Sequence, residues 1–174
     1  MTDWEPEVSE ILTHAGWRPG REVDSTDWCA WLSESGFKVH ASFRNFISEY
    51  GGLNIRHGGE GVARAREPIE FDPELARGEE DRFEEWGRVI GKTILPIGEL
   101  DGGRFFLGLD EDGVLYLIVD YLARFGSGTE GLKNLLLGGP IEELFDRYPG
   151  SSGALPQHRR GFRDHTGSRF QVQA

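Results

Sequence analysis

Five histidines, one cysteine and an acidic Asp-Gly turn are the residues of this chain with the most obvious chemical potential. His14, His40, His57, His158 and His165 include no pair at helix-face ligand spacing, and no His-Glu-x-x-His stretch occurs. Cys29 stands alone between Trp28 and Ala30. An intrachain disulfide and a cysteine zinc cage are therefore excluded, and a small core residue is the simpler role. Asp110-Glu111-Asp112-Gly113 has the opening of a calcium loop but lacks the remaining ligands and the closing glutamate. Its composition suits a turn between two strands better.

Gly126-Ser127-Gly128-Thr129-Glu130-Gly131 matches Gly-x-Gly-x-x-Gly, follows a predicted strand and opens a predicted helix. Such a loop cradles a dinucleotide phosphate when it begins a parallel strand–helix–strand unit. Here the preceding strands read as antiparallel, and no second strand with a ribose-binding acid follows. A flexible turn in which Thr129 caps the next helix is the simpler expectation. There is no Walker-type Gly-x-x-x-x-Gly-Lys-Ser/Thr phosphate loop and no Gly-x-Ser-x-Gly nucleophile elbow. Glu49, Glu99 and Asp110 are candidates for a general acid–base pair, but their spacing along the chain does not bring them together. The residue types point to no catalytic residue, no metal and no cofactor.

Charge says more. The chain of 174 residues has a net charge of −11. Residues 1–148 hold 29 Asp and Glu against 15 Lys and Arg, whereas residues 149–174 hold Arg159, Arg160, Arg163 and Arg169 against Asp164 alone. An acidic body disfavours nucleic acid and favours a basic protein partner through steering. No apolar run approaches the ~18 residues of a membrane span. Met1-Thr2-Asp3-Trp4-Glu5 has neither the basic flank nor the apolar core of a signal peptide. A cytoplasmic protein that engages neither membrane nor nucleic acid is the expectation.

The elements that must position these residues follow from periodicity. Val8, Ile11, Leu12 and Ala15 mark one amphipathic helix; Trp28, Trp31 and Leu32 a second; Phe43, Phe46, Ile47 and Tyr50 a third; and Phe83, Trp86 and Ile90 a fourth. Ser25 or Asp24 suits the cap of the second, and His40 or Ser42 the start of the third. Leu53-Asn54-Ile55-Arg56 alternates as a short strand. Pro68-Ile69-Glu70-Phe71-Asp72-Pro73 reads as an edge strand, because proline stands at both ends. Residues 94–119 hold two nearly continuous apolar runs punctuated by Asp101-Gly102-Gly103 and Asp112-Gly113, the signature of antiparallel hairpins covered on both faces. Leu132, Leu135 and Leu136 suggest a short helix, and Ile141, Leu144, Phe145 and Tyr148 another after Pro140. The predicted fold is a single α+β domain over residues 1–149, with a mainly antiparallel sheet flanked by helices. Residues 150–174 are expected to be a basic, peripheral or mobile tail.

Four motifs occur in a recognisable order. They are Gly16-Trp17-Arg18-Pro19-Gly20-Arg21, Phe46-Ile47-Ser48-Glu49-Tyr50-Gly51-Gly52-Leu53, Gly91-Lys92-Thr93-Ile94-Leu95-Pro96-Ile97-Gly98-Glu99 and Leu107-Gly108-Leu109-Asp110-Glu111-Asp112-Gly113-Val114-Leu115-Tyr116. Together they resemble the SUKH superfamily, and within it the third subgroup of bacterial immunity proteins. The resemblance covers about residues 5–145. It implies an α+β fold, no cofactor, no catalytic residue, and direct binding of a cognate secreted toxin, often a nuclease or deaminase. A cleft that binds phosphates must be basic, so the partner-facing residues expected here are Glu99, Asp101, Asp110, Glu111 and Asp112, with Glu79, Glu80 and Asp81 as a second patch. The alternatives are a SUKH-like scaffold for a host partner and, in another class, a small nucleotide-binding enzyme using residues 126–131.

Overall fold

Residues 94–119 form the middle of one antiparallel meander in the computed structural model, which describes residues 4–146. Its strands are β1 (Asn54–Ile55), β2 (Ile69–Glu70), β3 (Leu95–Leu100), β4 (Phe105–Leu109), β5 (Val114–Ile118), β6 (Leu122–Ser127) and β7 (Glu142–Phe145). They lie side by side in chain order, each antiparallel to its neighbours. The helices are α1 (Pro6–His14), α2 (Thr26–Glu34), α3 (Ala41–Tyr50), α4 (Glu80–Ile90) and α5 (Gly128–Leu136), with a 3-10 turn at Pro73–Ala76. This is a single α+β domain.

The turns explain the meander. Between β3 and β4 the chain reverses through Asp101, Gly102 and Gly103, all at positive φ (56°, 61° and 85°). That is a backbone which glycine and aspartate tolerate and β-branched residues do not. Strand alternation then sends Phe105, Leu107 and Leu109 to one face and Phe106 and Gly108 to the other. On the Gly108 face α4 packs so closely that a Cβ there would lie 2.5 Å from Ile94 and 3.4 Å from Phe83. On the other face α5 presses against the sheet at Gly131, where a Cβ would meet the Gly126 carbonyl at 2.3 Å. With both faces covered, Leu115, Tyr116, Leu117 and Ile118 are all buried, which explains the unbroken apolar run.

The described fold departs from the predicted elements in three places. Residues 142–145 pair with β6 as a strand instead of starting a helix. Their apolar spacing suits either element over so short a length, and the open edge of β6 supplied the backbone partners that decided it. β2 is not an edge, since it pairs with both β1 and β3; Pro68 and Pro73 lie outside its two paired residues. Thr129 does not cap α5, whose N-cap is Ser127 without a side-chain bond. Tyr148 and the tail lie outside the described residues.

Candidate functional site

The acidic turns fall at opposite ends of the sheet. The β4–β5 hairpin carries Asp110, Glu111 and Asp112 at one end. The β3–β4 turn carries Asp101 at the other, roughly 17 Å away along a five-residue strand. Asp110 is fully buried, which removes it from the surface expected to meet a partner. Its Oδ1 accepts hydrogen bonds from the backbone N–H groups of Asp112 and Val114, both at 2.9 Å, and its Oδ2 accepts one from the Tyr116 hydroxyl at 2.8 Å. It builds its own hairpin. Glu111 and Asp112 remain exposed but are partly engaged. Glu111 accepts from the Thr93 N–H at 2.9 Å, its carbonyl accepts from the Ser42 hydroxyl at 2.6 Å, and Asp112 pairs with Lys92.

The other end is arranged differently. Register places Glu70 of β2 directly opposite Glu99 of β3. Their carboxylates share a face, and neither has a hydrogen bond or ion pair within the described residues. Partial burial, then the charges of Glu70 and Asp72, hold the Glu99 carboxyl above its ordinary pKa. Asp101 follows in the turn and pairs with Arg104 at 2.7 Å. The start of α4 belongs to this end too. Arg82 bridges Glu79 at 2.7 Å and Asp120 of the β5–β6 turn at 3.1 Å, which brings Glu79, Glu80 and Asp81 to the neighbourhood of that turn. Glu99, Asp101 and the Glu79–Asp81 patch are thus at one end of the fold, and Glu111 and Asp112 at the other. Glu70 and Asp120 join the first group and were not anticipated. Alternation in the β2 segment puts Glu70 on a solvent face, but only the strand register sets it against Glu99.

The sequence motifs that looked like landmarks touch one another. Trp17 Nε1 donates to the Glu49 carboxylate at 3.1 Å, and Arg21 donates to the carbonyls of Glu49 and Gly51 at 2.6 and 2.7 Å. The first motif thereby closes the C-terminal end of α3, which carries the second. The third and fourth meet through Lys92–Asp112, Thr93–Glu111 and the Ile94–Gly108 contact. His40 caps α3 by accepting the Phe43 N–H on Nδ1 at 3.1 Å. That bond requires an unprotonated nitrogen, and burial holds the His40 pKa below its ordinary value while the neighbouring Glu111 and Asp110 oppose the shift. Arg64 latches the loop before β2 onto the end of α5, donating to the carbonyls of Gly139, Asn134 and Leu135 and lying 4.9 Å from the Phe125 ring centre. Burial pulls its pKa down to about 10.

Residues 126–131 do join a strand to a helix, but β6 is antiparallel to both its neighbours. The glycines at 126 and 131 serve the close approach of α5 to β6. Among the described residues no group of three or more His, Cys, Asp or Glu is placed to hold a metal ion. Among the same residues no helix is long and apolar enough to cross a membrane.

Residues 4–138 match the family model of the SUKH-3 immunity proteins. The chain belongs to the SUKH-3 immunity protein family. No curated protein and no solved structure matches it. As a SUKH-3 immunity protein it has a cognate toxin as its binding partner. The matched region contains all four motifs, both acidic turns and the closely packed glycines at 108 and 131. Within it, the first motif braces the end of α3, and the third and fourth meet beside the β4–β5 hairpin, so most of their residues serve the SUKH-3 framework.

Proposed function

We propose that this SUKH-3 protein neutralises its toxin without catalysis, by laying carboxylates over a basic, nucleic-acid-handling cleft of a nuclease or deaminase. The observation that carries this is the Glu70–Glu99 pair, two like charges facing each other across adjacent strands, neither of them in an ion pair among the described residues. Like charges in that position destabilise the free protein. A partner lysine or arginine would convert the repulsion into attraction, so binding gains what folding loses. Glu80 and Asp81, with Asp101, Glu79 and Asp120 partly offset by Arg104 and Arg82, extend the negative field around the pair and would accelerate encounter with a basic surface. Glu111 and Asp112 form a second acidic edge, already partly offset by Lys92. A single partner engaging both would have to span the sheet.

Co-expression with the toxin encoded beside this chain tests the role. Rescue of growth and a complex without turnover of the toxin are expected. Absence of both rescue and complex would refute the immunity role for that pair. Rescue with an association rate untouched by Glu70→Lys and Glu99→Lys would retain the immunity role and reject this surface.

A further inference from the structure

Residues 56–68 join β1 to β2, a far longer connection than residues 101–104, 110–113 and 119–121, which turn the three central hairpins. Loops of this length are uncommon in compact domains and often carry function. None of the residues from Arg56 to Pro68 belongs to the buried core. The loop is nevertheless held down firmly. The N–H of Val62 donates to the Leu137 carbonyl at 2.9 Å, and those of Ala63 and Arg64 donate to the Gly138 carbonyl at 2.8 and 2.9 Å. The Arg64 side chain adds its bonds to the carbonyls of Gly139, Asn134 and Leu135. Backbones approach so closely that a Cβ on Gly61 would lie 2.6 Å from the Leu137 carbonyl oxygen.

The latch fixes what the loop displays. Val62 is 71% exposed, the most exposed large hydrophobic side chain among the described residues. A lone exposed valine on a loose loop is ordinary. Here the backbone at Val62 is set before any partner arrives, so no ordering entropy is lost on contact. The loop also rises from the end of the sheet that carries Glu70, Glu99 and Asp101. Ile69 pairs with Leu100, and the Asp101 N–H donates to the Pro68 carbonyl at 2.9 Å. Arg66 pairs with Glu7 of α1, and Arg64 is taken up by carbonyls. Glu60 is exposed and in no ion pair among the described residues. The tip therefore offers a fixed apolar side chain close in sequence to a carboxylate.

We propose that Val62 is a preformed apolar contact for the toxin, entering an apolar pocket beside the basic surface that meets Glu70 and Glu99. This rests on the reading of that end as toxin-facing. Charges there govern the rate of encounter, whereas Val62 governs how long the complex lasts.

Association and dissociation rates of the full-length chain with the toxin encoded beside it provide the test. Val62→Ala removes two methyl groups, and Val62→Thr keeps the shape but adds a hydroxyl; neither changes charge. Each is expected to speed dissociation about tenfold. The association rate and the unfolding midpoint should stay as in the wild type. Dissociation of both variants at the wild-type rate would overturn the proposal. If Glu70→Lys and Glu99→Lys still slowed association, the charged surface would survive that result. If the charge variants and the valine variants all bound like the wild type, the toxin would land elsewhere and both readings would fail. Arg64→Ala examines the latch. Amide exchange at Val62 and Ala63 should quicken at least tenfold, and binding should weaken. Freed amides with unchanged affinity would overturn the claim that the contact is preformed.

Discussion

At the β4–β5 end of the sheet, Asp110 is buried and binds two backbone N–H groups and a tyrosine hydroxyl, while Asp112 pairs with Lys92. At the β3–β4 end, Glu99 faces Glu70 and its carboxyl is held above the ordinary range. The residue types are the same and the turns are alike in sequence. One end uses its carboxylates to satisfy donors that folding would otherwise strand. The other leaves like charges on facing residues, an arrangement that costs the free protein stability. Acidity in a sequence is thus two quantities, and the one that matters for a partner is what remains after the internal donors have been served.

The largest effect that would break this contrast is at Asp110. Replacement by alanine strands the Tyr116 hydroxyl and two N–H groups, so a loss of about 3 kcal/mol in denaturant unfolding is expected. A stable Asp110→Ala protein would show that the hairpin does not depend on its carboxylate. At the opposite end the expectation reverses. Glu70→Lys with Glu99→Lys should leave folding nearly intact yet slow association with the toxin by about tenfold or more at low salt, and flatten its salt dependence. Stopped-flow mixing at two ionic strengths measures this. Equal kinetics would mean the unneutralised pair is not where the toxin lands.

The two ends should also respond to pH with opposite sign. His40, beside the β4–β5 hairpin, has a folded pKa below its unfolded value near 6.5. Its contribution is present above pH 6.5 and is lost as pH falls toward the depressed value. Glu99 has a folded pKa above its unfolded value near 4.5. It favours the folded state at low pH, and that advantage is lost as pH rises through the raised value. In stability measured against pH, His40→Asn keeps a capping acceptor without titrating and should lessen the fall below pH 6.5. Glu99→Gln should lessen the fall above pH 4.5. His57, held low by burial and by Arg66, leaves a residual slope of the same sign as that of His40. If both variants changed the profile in the same direction, the contrast between the ends would fail. The smallest effect belongs to Lys92→Ala. Its partner Asp112 is exposed, and such ion pairs are screened by solvent and salt. No resolved change in the unfolding midpoint is expected, and a large one would show that Lys92 holds the hairpin in place.

Much of this fold is legible in the residues themselves. The apolar faces of α1 to α4 repeat at helical spacing, and Asp101-Gly102-Gly103 and Asp112-Gly113 announce the turns that join β3 to β5. These signals are local, and local signals survive when the chain is read without its neighbours. Residues 142–145 form a strand where apolar spacing predicts a helix, because four residues cannot separate the two and the free edge of β6 is not visible in the local pattern. The candidate surface was half legible. Glu99, Asp101 and Glu79 to Asp81 are conspicuous acids and do lie at one end, whereas Asp110 was equally conspicuous and is interior.

By itself, then, the sequence determined an acidic α+β chain with hairpins at its centre and four motifs in an order that identifies its family. Only the tertiary structure decided which carboxylates are structural and which are available. That division depends on what lies opposite each oxygen: the N–H groups of a tight hairpin and a tyrosine hydroxyl for Asp110, another carboxylate for Glu99. Strand register and burial set those distances, and neither is written in the local pattern of residues.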